Sequence, residues 1–155
     1  MKQLFRFAAV VFALGASISA APQAPKTTTA AADAVDVKVY LTPTCGCCSK
    51  WVDHMAAAKF KTTRDVRPDL STVPERKRVP RALMGCHLAT VGPYIIEGHV
   101  PADVVRKLLK EQPKIAGIAV PGMPTGSPGM EGPNPEPYSI VAFRADGTTY
   151  EFAKR

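Results

Sequence analysis

The sequence predicts an α/β domain in which helices flank a mixed β-sheet, with an added loop rich in proline, glycine and methionine and a C-terminal β-hairpin. Three observations favour this fold class. Residues 35–41 alternate apolar and polar side chains, as a β-strand does. Apolar residues recur at three- and four-residue steps over 48–59, which is typical of an amphipathic helix. Two apolar runs within 138–152 flank an Ala-Asp-Gly turn and predict the closing hairpin.

The predicted elements follow in the order strand, helix, strand, short helix, hairpin, helix, before the closing hairpin. A second strand over 60–66 implies a right-handed crossover and parallel pairing with the first strand. Residues 67–85 are rich in proline and arginine, and we expect a short helix over 81–84. A Gly-Pro turn at 92–93 predicts a β-hairpin. The apolar stripe that follows Pro101 predicts another helix, with Pro101 as its first residue.

Residues 117–137 contain six prolines and five glycines, so we expect no regular structure there. Because a segment with sheet character follows, this stretch is predicted to be an internal loop of the domain.

The first 34 residues are predicted to lie outside the folded domain, which spans 35–155. Lys2 and Arg6 flank an apolar run that ends in small residues, the layout of a cleavable secretory signal, which we assign to 1–20. Residues 21–34 are rich in proline, threonine and alanine and predict a flexible leader. The apolar run is too short to span a bilayer, so we expect an exported protein without stable membrane insertion.

The chain is basic, with 20 Lys and Arg against 13 Asp and Glu. Without Lys2 and Arg6 the net charge is +5, and much of the excess lies in 59–67 and 76–81. These segments lack the interleaved aromatic residues and phosphate-binding loops typical of nucleic-acid binding. We therefore expect a solvated basic face and no nucleic-acid partner.

Three of the four cysteines, Cys45, Cys47 and Cys48, stand between the first strand and the first helix. A helix N-terminus stabilises thiolate over thiol, and thiolate is the form that exchanges disulfides and binds soft metals. Two disulfides are one interpretation for an exported protein. Cys45 and Cys48 are then the comfortable local pair, which leaves Cys47 and Cys86 unpaired or joined to each other.

Strand, turn, C-x-x-C and helix is the arrangement used by thioredoxin-like proteins, and the predicted element order resembles that fold. Two features differ from the familiar C-G-P-C version. The proline position holds Cys47, a third thiol that disulfide exchange does not need. The loop that usually carries a cis-proline and faces the C-x-x-C turn corresponds here to 84–87, which contains Cys86 and His87 but no proline.

Converging thiolates with a nearby imidazole make a soft site, and softness selects Cu(I) or Zn(II). Structural zinc sites usually separate paired thiols by two to four residues, which adjacent Cys47 and Cys48 do not satisfy alongside Cys45. Crowded thiolates suit bridging between cuprous ions. We therefore predict a site with more than one copper, with zinc as the competing metal. The candidate ligands are Cys45, Cys47, Cys48, Cys86 and His87, although His87 is equally suited to orienting a thiolate by hydrogen bonding.

Four motifs, spread over nearly the whole predicted mature chain, resemble the bacterial family of CopG-type copper-resistance proteins, long known as a domain of unknown function. They are VYLTPTCGCCSKW at 39–51, CH at 86–87, YIIEGHVP at 94–101 and AVPGMPTGSPGME at 119–131. The resemblance implies a periplasmic, thioredoxin-like protein that binds copper through Cys45, Cys47, Cys48 and Cys86. It also implies a role in copper tolerance and in interconverting cuprous and cupric ions, with periplasmic copper-handling proteins as partners.

The other candidate residues have structural explanations as well. Trp51 is expected in the core, His54 on the surface, and His99 at a hairpin end or helix cap. The sequence leaves open whether His99 is also a metal ligand. Met123 and Met130 either anchor their loop by apolar packing or offer thioethers to Cu(I).

Two further functions are compatible with the sequence. One is a thiol-disulfide oxidoreductase in which Cys45 attacks and Cys48 resolves the mixed disulfide. The other is a passive copper store or chaperone without turnover. The sequence leaves open whether the protein is an enzyme. Serine in place of Cys47 separates these classes, since copper loading needs the third thiol and exchange does not.

Overall fold

A computed structural model of the chain describes residues 34–155. The signal peptide predicted for 1–20 and the leader predicted for 21–34 therefore lie outside the described residues, apart from Ala34. Within the described range, no helix combines the length and apolarity needed to cross a bilayer.

Residues 34–155 form two α-helices, three short 3₁₀ helices and one seven-stranded mixed sheet. The strands are β1 (Asp36–Leu41), β2 (Lys61–Val66), β3 (His87–Val91), β4 (Tyr94–Gly98), β5 (Gly117–Val120), β6 (Ser139–Phe143) and β7 (Thr149–Lys154). The α-helices are α1 (Gly46–Ala57) and α2 (Ala102–Glu111), and the 3₁₀ helices cover Leu70–Thr72, Pro74–Arg78 and Arg81–Leu83.

The strands lie in the order β2-β1-β3-β4-β5-β6-β7. β1 pairs in parallel with β2, and β4 with β5, while the other pairs are antiparallel. The predicted α/β fold, with a thioredoxin-like mixed sheet, flanking helices and a closing hairpin, is confirmed. In the β1–β3 pair, Leu41 lies opposite His87. The C-terminal end of β1 and the N-terminal end of β3 therefore lie side by side. This pairing brings the turn after β1 close to the turn before β3.

The sheet is covered on both faces. Helix α1 buries Trp51, Val52 and Met55, and α2 buries its own apolar stripe, in one core cluster on the same face of the sheet. The other face packs against the segment of 3₁₀ helices, with Leu70 and Val79 in a second cluster. Most of the proline- and arginine-rich segment 67–85 thus forms a covering layer, and its 3₁₀ helix Arg81–Leu83 lies where the sequence predicted a short helix.

The Pro/Gly segment contains a strand that the sequence prediction missed. Gly117–Val120 forms β5, between β4 and β6, and all four residues are buried. A Cβ on Gly117 would lie 2.0 Å from the Ile95 carbonyl oxygen, so only glycine fits this pairing. The run is short and continuously apolar, and the prolines that follow it hid its strand character. Residues 121–137 are irregular, as predicted, and the closing hairpin begins at Ser139, one residue later than expected.

Two predictions, one about the start of α2 and one about His54 on α1, were wrong. Pro101 is the N-cap of α2 and not its first helical residue. His54, expected on the surface, is half-buried, and its Nε2 accepts a hydrogen bond from the Ala102 N–H at 3.1 Å. The imidazole that serves the start of α2 is therefore that of His54, not that of His99.

Candidate metal centre

The four cysteines converge at the edge of the sheet where β1 ends and β3 begins. The sulfur atoms of Cys45, Cys47, Cys48 and Cys86 all lie within 4.8 Å of one another. The Sγ atom of Cys48 is 3.2 Å from that of Cys86, and the Sγ atom of Cys45 is 3.5 Å from that of Cys47. Cys48 is buried and the other three are half-buried. The structure thus brings together the four sulfurs that the sequence singled out.

Two of these sulfurs are joined. Cys45 and Cys48 form a disulfide, and Cys47 and Cys86 are free thiols. This is the local pairing that the spacing favours. A disulfide takes up two electrons and two protons to give two thiols, so reduction would place four thiols in the same small volume.

The sulfurs of the turn after β1 lie at the N-terminal end of α1. Cys45 is the N-cap residue, with an extended backbone and no hydrogen bond from its side chain to the helix. Cys47 and Cys48 lie in the first turn, which contains no acidic residue. The unpaired N–H groups and the helix dipole therefore act on these sulfurs without an opposing carboxylate in that turn.

Cys86 approaches this turn from the loop that enters β3. Its carbonyl oxygen lies 3.7 Å from the Cys48 Sγ, and no peptide bond between 34 and 155 is cis. Burial, together with the neighbouring Cys47 sulfur, raises the pKa of the Cys86 thiol to about 11. In the metal-free protein Cys86 therefore keeps its proton at neutral pH, and a bound cation would have to displace that proton.

His87 follows Cys86 and is fully buried. Its Nδ1 lies 3.8 Å from the Cys86 Sγ, and its ring packs against Trp51 with centroids 4.7 Å apart. Burial lowers the pKa of His87 to about 3, so the ring is neutral. Its buried Nε2 finds no hydrogen-bond partner in the described part of the chain. His87 thus lies where the sequence placed it, as a neutral imidazole beside the fourth sulfur.

His99, whose part in metal binding the sequence leaves open, also reaches this site. Its ring is fully buried, and its Nε2 lies 3.8 Å from the Cys86 Sγ. Cys86, His87 and His99 form a second group whose ligand atoms lie within 4.8 Å of one another. The register of the β3–β4 hairpin explains this position. Leu88 pairs with Glu97, and extending the antiparallel register by two residues places Cys86 opposite His99.

The tautomer of His99 follows from a backbone contact. Its Nδ1 lies 2.8 Å from the Pro128 carbonyl oxygen, which can only accept a hydrogen bond. Nδ1 therefore carries the proton, and Nε2 presents a lone pair towards Cys86. Burial lowers the pKa of His99, which keeps the ring neutral. A neutral imidazole whose far nitrogen is held by a carbonyl is the usual form of a metal-ligating histidine.

The Pro/Gly/Met loop, residues 121–138, packs directly against the start of α1. Gly129 has φ +88°, and a Cβ there would lie 2.7 Å from the Cys47 carbonyl oxygen and 3.0 Å from the Trp51 nitrogen. A cleft of about 640 Å³ between this loop and α1 is lined by Cys47 and Met130, among others. The loop therefore forms one wall of the cysteine site.

The two methionines of this loop occupy different environments. The Sδ of Met123 lies 3.7 Å from the Cys86 Sγ, and 42% of the residue is exposed. Such exposure argues against an apolar anchor and leaves its thioether beside the fourth sulfur. Met130 is half-buried in the cleft next to Cys47. Trp51, as expected, is a core residue, and its indole N–H donates to the Val100 carbonyl at 2.8 Å.

The chain is similar to one protein family and to solved structures. A protein family described as DUF411, proteins of unknown function, matches residues 83–130. A solved structure of the copper resistance protein CopG, Form 2, is 37% identical, with a TM-score of 0.74 over 79% of this chain and 99% of that one. Form 1 is also 37% identical, with a TM-score of 0.73 over 79% and 98%. No curated protein matches the chain. At this identity and coverage, the chain belongs to the family of the copper resistance protein CopG.

Proposed function

We propose that this protein is a periplasmic copper-binding protein that holds Cu(I) in a cluster of cysteine thiolates and so contributes to copper tolerance. The observation that carries the proposal is the convergence of four sulfur atoms within 4.8 Å. The similarity to two structures of a copper resistance protein supports copper as the metal. Sulfur donors without a carboxylate among them favour a soft ion over Mg²⁺, Ca²⁺ or Mn²⁺.

Each side chain has a defined part in this proposal. Cys45, Cys47 and Cys48 supply thiolates from the N-terminus of α1, and Cys86 supplies the fourth from the facing loop. With four sulfurs so close together, single thiolates can bridge neighbouring ions, so we propose more than one copper per chain. His87 and His99 offer neutral imidazoles at the Cys86 side, and Met123 offers a thioether at the exposed rim. Trp51 packs behind His87 and excludes water.

Replacement of Cys47, the third thiol of the turn after β1, tests the proposed copper cluster. After full reduction under anaerobic conditions, the protein is titrated with Cu(I), and copper per chain is measured together with free thiols. We expect Cys47→Ser to bind fewer coppers than the wild type, because a bridging sulfur is lost. Ser49→Ala, one position beyond the cluster, should keep the wild-type stoichiometry. Full copper loading of Cys47→Ser would refute a four-sulfur cluster.

The Cys45–Cys48 disulfide favours thiol-disulfide oxidoreduction as a second candidate function. In the reduced enzyme, the Cys45 thiolate would attack a substrate disulfide, and Cys48 would then displace the substrate from the mixed disulfide. The products are a two-thiol substrate and the Cys45–Cys48 disulfide. This reaction does not use Cys47. A Cys47→Ser variant that loses copper yet reduces a protein disulfide at the wild-type rate would favour this second function.

Interconversion of Cu(I) and Cu(II) extends the copper proposal. Reduction of the disulfide takes up two electrons, and each Cu(I) releases one when it becomes Cu(II). One disulfide and two cuprous ions would therefore react to give two thiolates and two cupric ions. Anaerobic mixing of the oxidised protein with Cu(I), followed by electron paramagnetic resonance, tests this reaction. A Cu(II) signal with newly formed thiolates supports it, and a silent spectrum indicates a store or chaperone without electron transfer.

A further inference from the structure

We propose that a buried ion pair between Arg76 and Glu97 positions Cys86 for metal binding by holding the peptide groups of Gly85. This inference rests on the proposed function, because it assigns the ion pair a role through Cys86 as a ligand. Arg76 and Glu97 are positioning residues here, since neither is among the sulfur or imidazole donors of the site.

The contacts of the pair converge on one residue. Glu97, on β4, is fully buried, and the side chain of Arg76 is only 14% exposed. The Arg76 Nη1 donates to the Glu97 Oε1 at 2.7 Å. The same oxygen accepts the Gly85 N–H at 2.6 Å, and the Arg76 Nη2 donates to the Gly85 carbonyl at 2.7 Å. Both backbone polar groups of the residue before Cys86 are therefore fixed by charged partners.

Stability alone is a poor explanation for this pair. Burying two charges carries a desolvation cost that their attraction often fails to exceed, and apolar residues of similar volume are often as stable. The second carboxylate oxygen, Oε2 of Glu97, is buried and has no hydrogen-bond partner among residues 34–155. An unsatisfied buried acceptor is itself destabilising. What the pair does achieve is a fixed geometry for the Gly85 peptide groups.

The loop also lacks the proline that usually fixes its conformation. It contains no proline at 84–87 and no cis peptide bond, whereas a cis-proline usually stands at this place in the thioredoxin-like arrangement. Arg76 reaches the loop from the 3₁₀ helix Pro74–Arg78, in the proline- and arginine-rich segment. The ion pair thus supplies, through charge-assisted hydrogen bonds, the rigidity that a proline ring would otherwise supply.

The test compares Cu(I) affinities of full-length variants, measured anaerobically after reduction by competition with the chromogenic chelator bicinchoninate. Glu97→Ala removes the acceptor of the Gly85 N–H, and we expect Cu(I) affinity to fall about 10- to 100-fold, as for other residues that orient ligands. Glu97→Gln keeps an acceptor oxygen and should lose less. In a Cys86→Ser background, Glu97→Ala should cause no further loss, because its effect passes through the Cys86 thiolate.

The control removes an ion pair elsewhere. Asp53 accepts from Arg64 at 2.7 Å on the surface, so Asp53→Ala should leave Cu(I) affinity unchanged. Thermal unfolding of each variant shows whether it is folded, and if Glu97→Ala is not, Glu97→Gln and Arg76→Lys provide the same comparison.

Two results would overturn the positioning role: wild-type affinity in the Glu97 variants, or losses that simply add in the Cys86→Ser double variant. Equal affinity of the wild type and Cys86→Ser has a different meaning. It would refute Cys86 as a ligand, and with it both the proposed cluster and the positioning role.

Discussion

The ring of His99 is held through its Nδ1, which donates to the Pro128 carbonyl at 2.8 Å. This contact leaves the lone pair of Nε2 directed at Cys86, 3.8 Å away. His87 lies just as close to Cys86 through its Nδ1, but its other nitrogen has no partner within the range 34–155. Of the two imidazoles, His99 therefore has the more firmly defined tautomer and orientation.

Replacement of His99 by glutamine should weaken Cu(I) binding at least about tenfold, because the neutral imidazole beside Cys86 is lost. Competition with a Cu(I) chelator measures this change. The matched control is His54→Gln, which alters the histidine that contacts α2 and leaves the cysteine site intact. If both variants bind Cu(I) as the wild type does, His99 is a packing residue and not part of the metal site.

The cysteines of the site can be predicted from the sequence, but not all of their neighbours can. Cys45, Cys47 and Cys48 were predictable because their spacing at a strand–helix junction is unusual, and Cys86 followed from the fold. The place of His99 depends on its pairing across the β3–β4 hairpin, which its sequence position just before α2 does not reveal. The role of Glu97 could not be predicted either, since its partner Arg76 lies in a short 3₁₀ helix whose path over the sheet does not follow from local sequence pattern.

Among the elements, the Pro/Gly/Met loop bears most directly on the site. Gly129 lies against α1, where an added Cβ would come within 2.7 Å of the Cys47 carbonyl oxygen. Gly122, in the same loop, also has a positive φ, of +79°, but a Cβ there would meet nothing within 4 Å. The two glycines thus share the cost of a left-handed backbone and differ in their contact with the cysteine turn.

Gly129→Ala should therefore displace the loop from α1 and lower both stability and Cu(I) affinity. Overpacking of this kind typically costs about 1–3 kcal/mol. Gly122→Ala should lower stability by about 1–2 kcal/mol from the backbone alone and leave Cu(I) affinity unchanged. Denaturant unfolding and chelator competition measure the two effects. Equal behaviour of the two variants would show that the loop does not form a wall of the site.

The contact between α1 and α2 should depend on pH. Burial lowers the pKa of His54 below 6.5, against the opposing charges of Glu131 and Asp103. The unfolded chain therefore binds the proton before the folded chain does as pH falls. The stability that neutral His54 contributes is complete above about pH 6.5 and is lost as pH falls through the lower folded-state pKa.

The contribution of His54 to the pH dependence of stability can be isolated by comparing the wild type with His54→Gln. The unfolding free energy of the metal-free protein should fall more between about pH 7.5 and pH 5.5 in the wild type than in His54→Gln, which cannot titrate. His87 and His99 are present in both proteins, so their contributions cancel. Parallel stability curves would show that protonation of His54 does not disturb the hydrogen bond from Ala102.

How well each element was predicted follows from its length and pattern. Strand β1, helix α1 and the two hairpins have clear periodicity, and the structure confirms them. Strand β5 has only four residues, all of them buried, so it shows no alternation. Its strand character depends on pairing with β4 and β6, which are distant in sequence, and such pairing cannot be read from local pattern.

At the scale of the whole molecule, topology explains why the site exists. The antiparallel pairing of β1 with β3 brings the start of α1 and the loop before β3 to the same edge of the sheet. Thirty-eight residues separate Cys48 from Cys86, yet their sulfurs are 3.2 Å apart. The remaining wall comes from the loop between β5 and β6. The cysteine turn, the β3–β4 hairpin with its flanking residues Cys86 and His99, and this loop together make up the site.

X-ray absorption at the copper edge of the fully reduced, Cu(I)-loaded protein tests the thiolate cluster most directly. We predict a first coordination shell dominated by sulfur, together with scattering from a second copper at short distance, because single thiolates would bridge neighbouring ions. Cys86→Ser should reduce both features. A first shell dominated by nitrogen or oxygen, with no copper–copper scattering, would contradict the account.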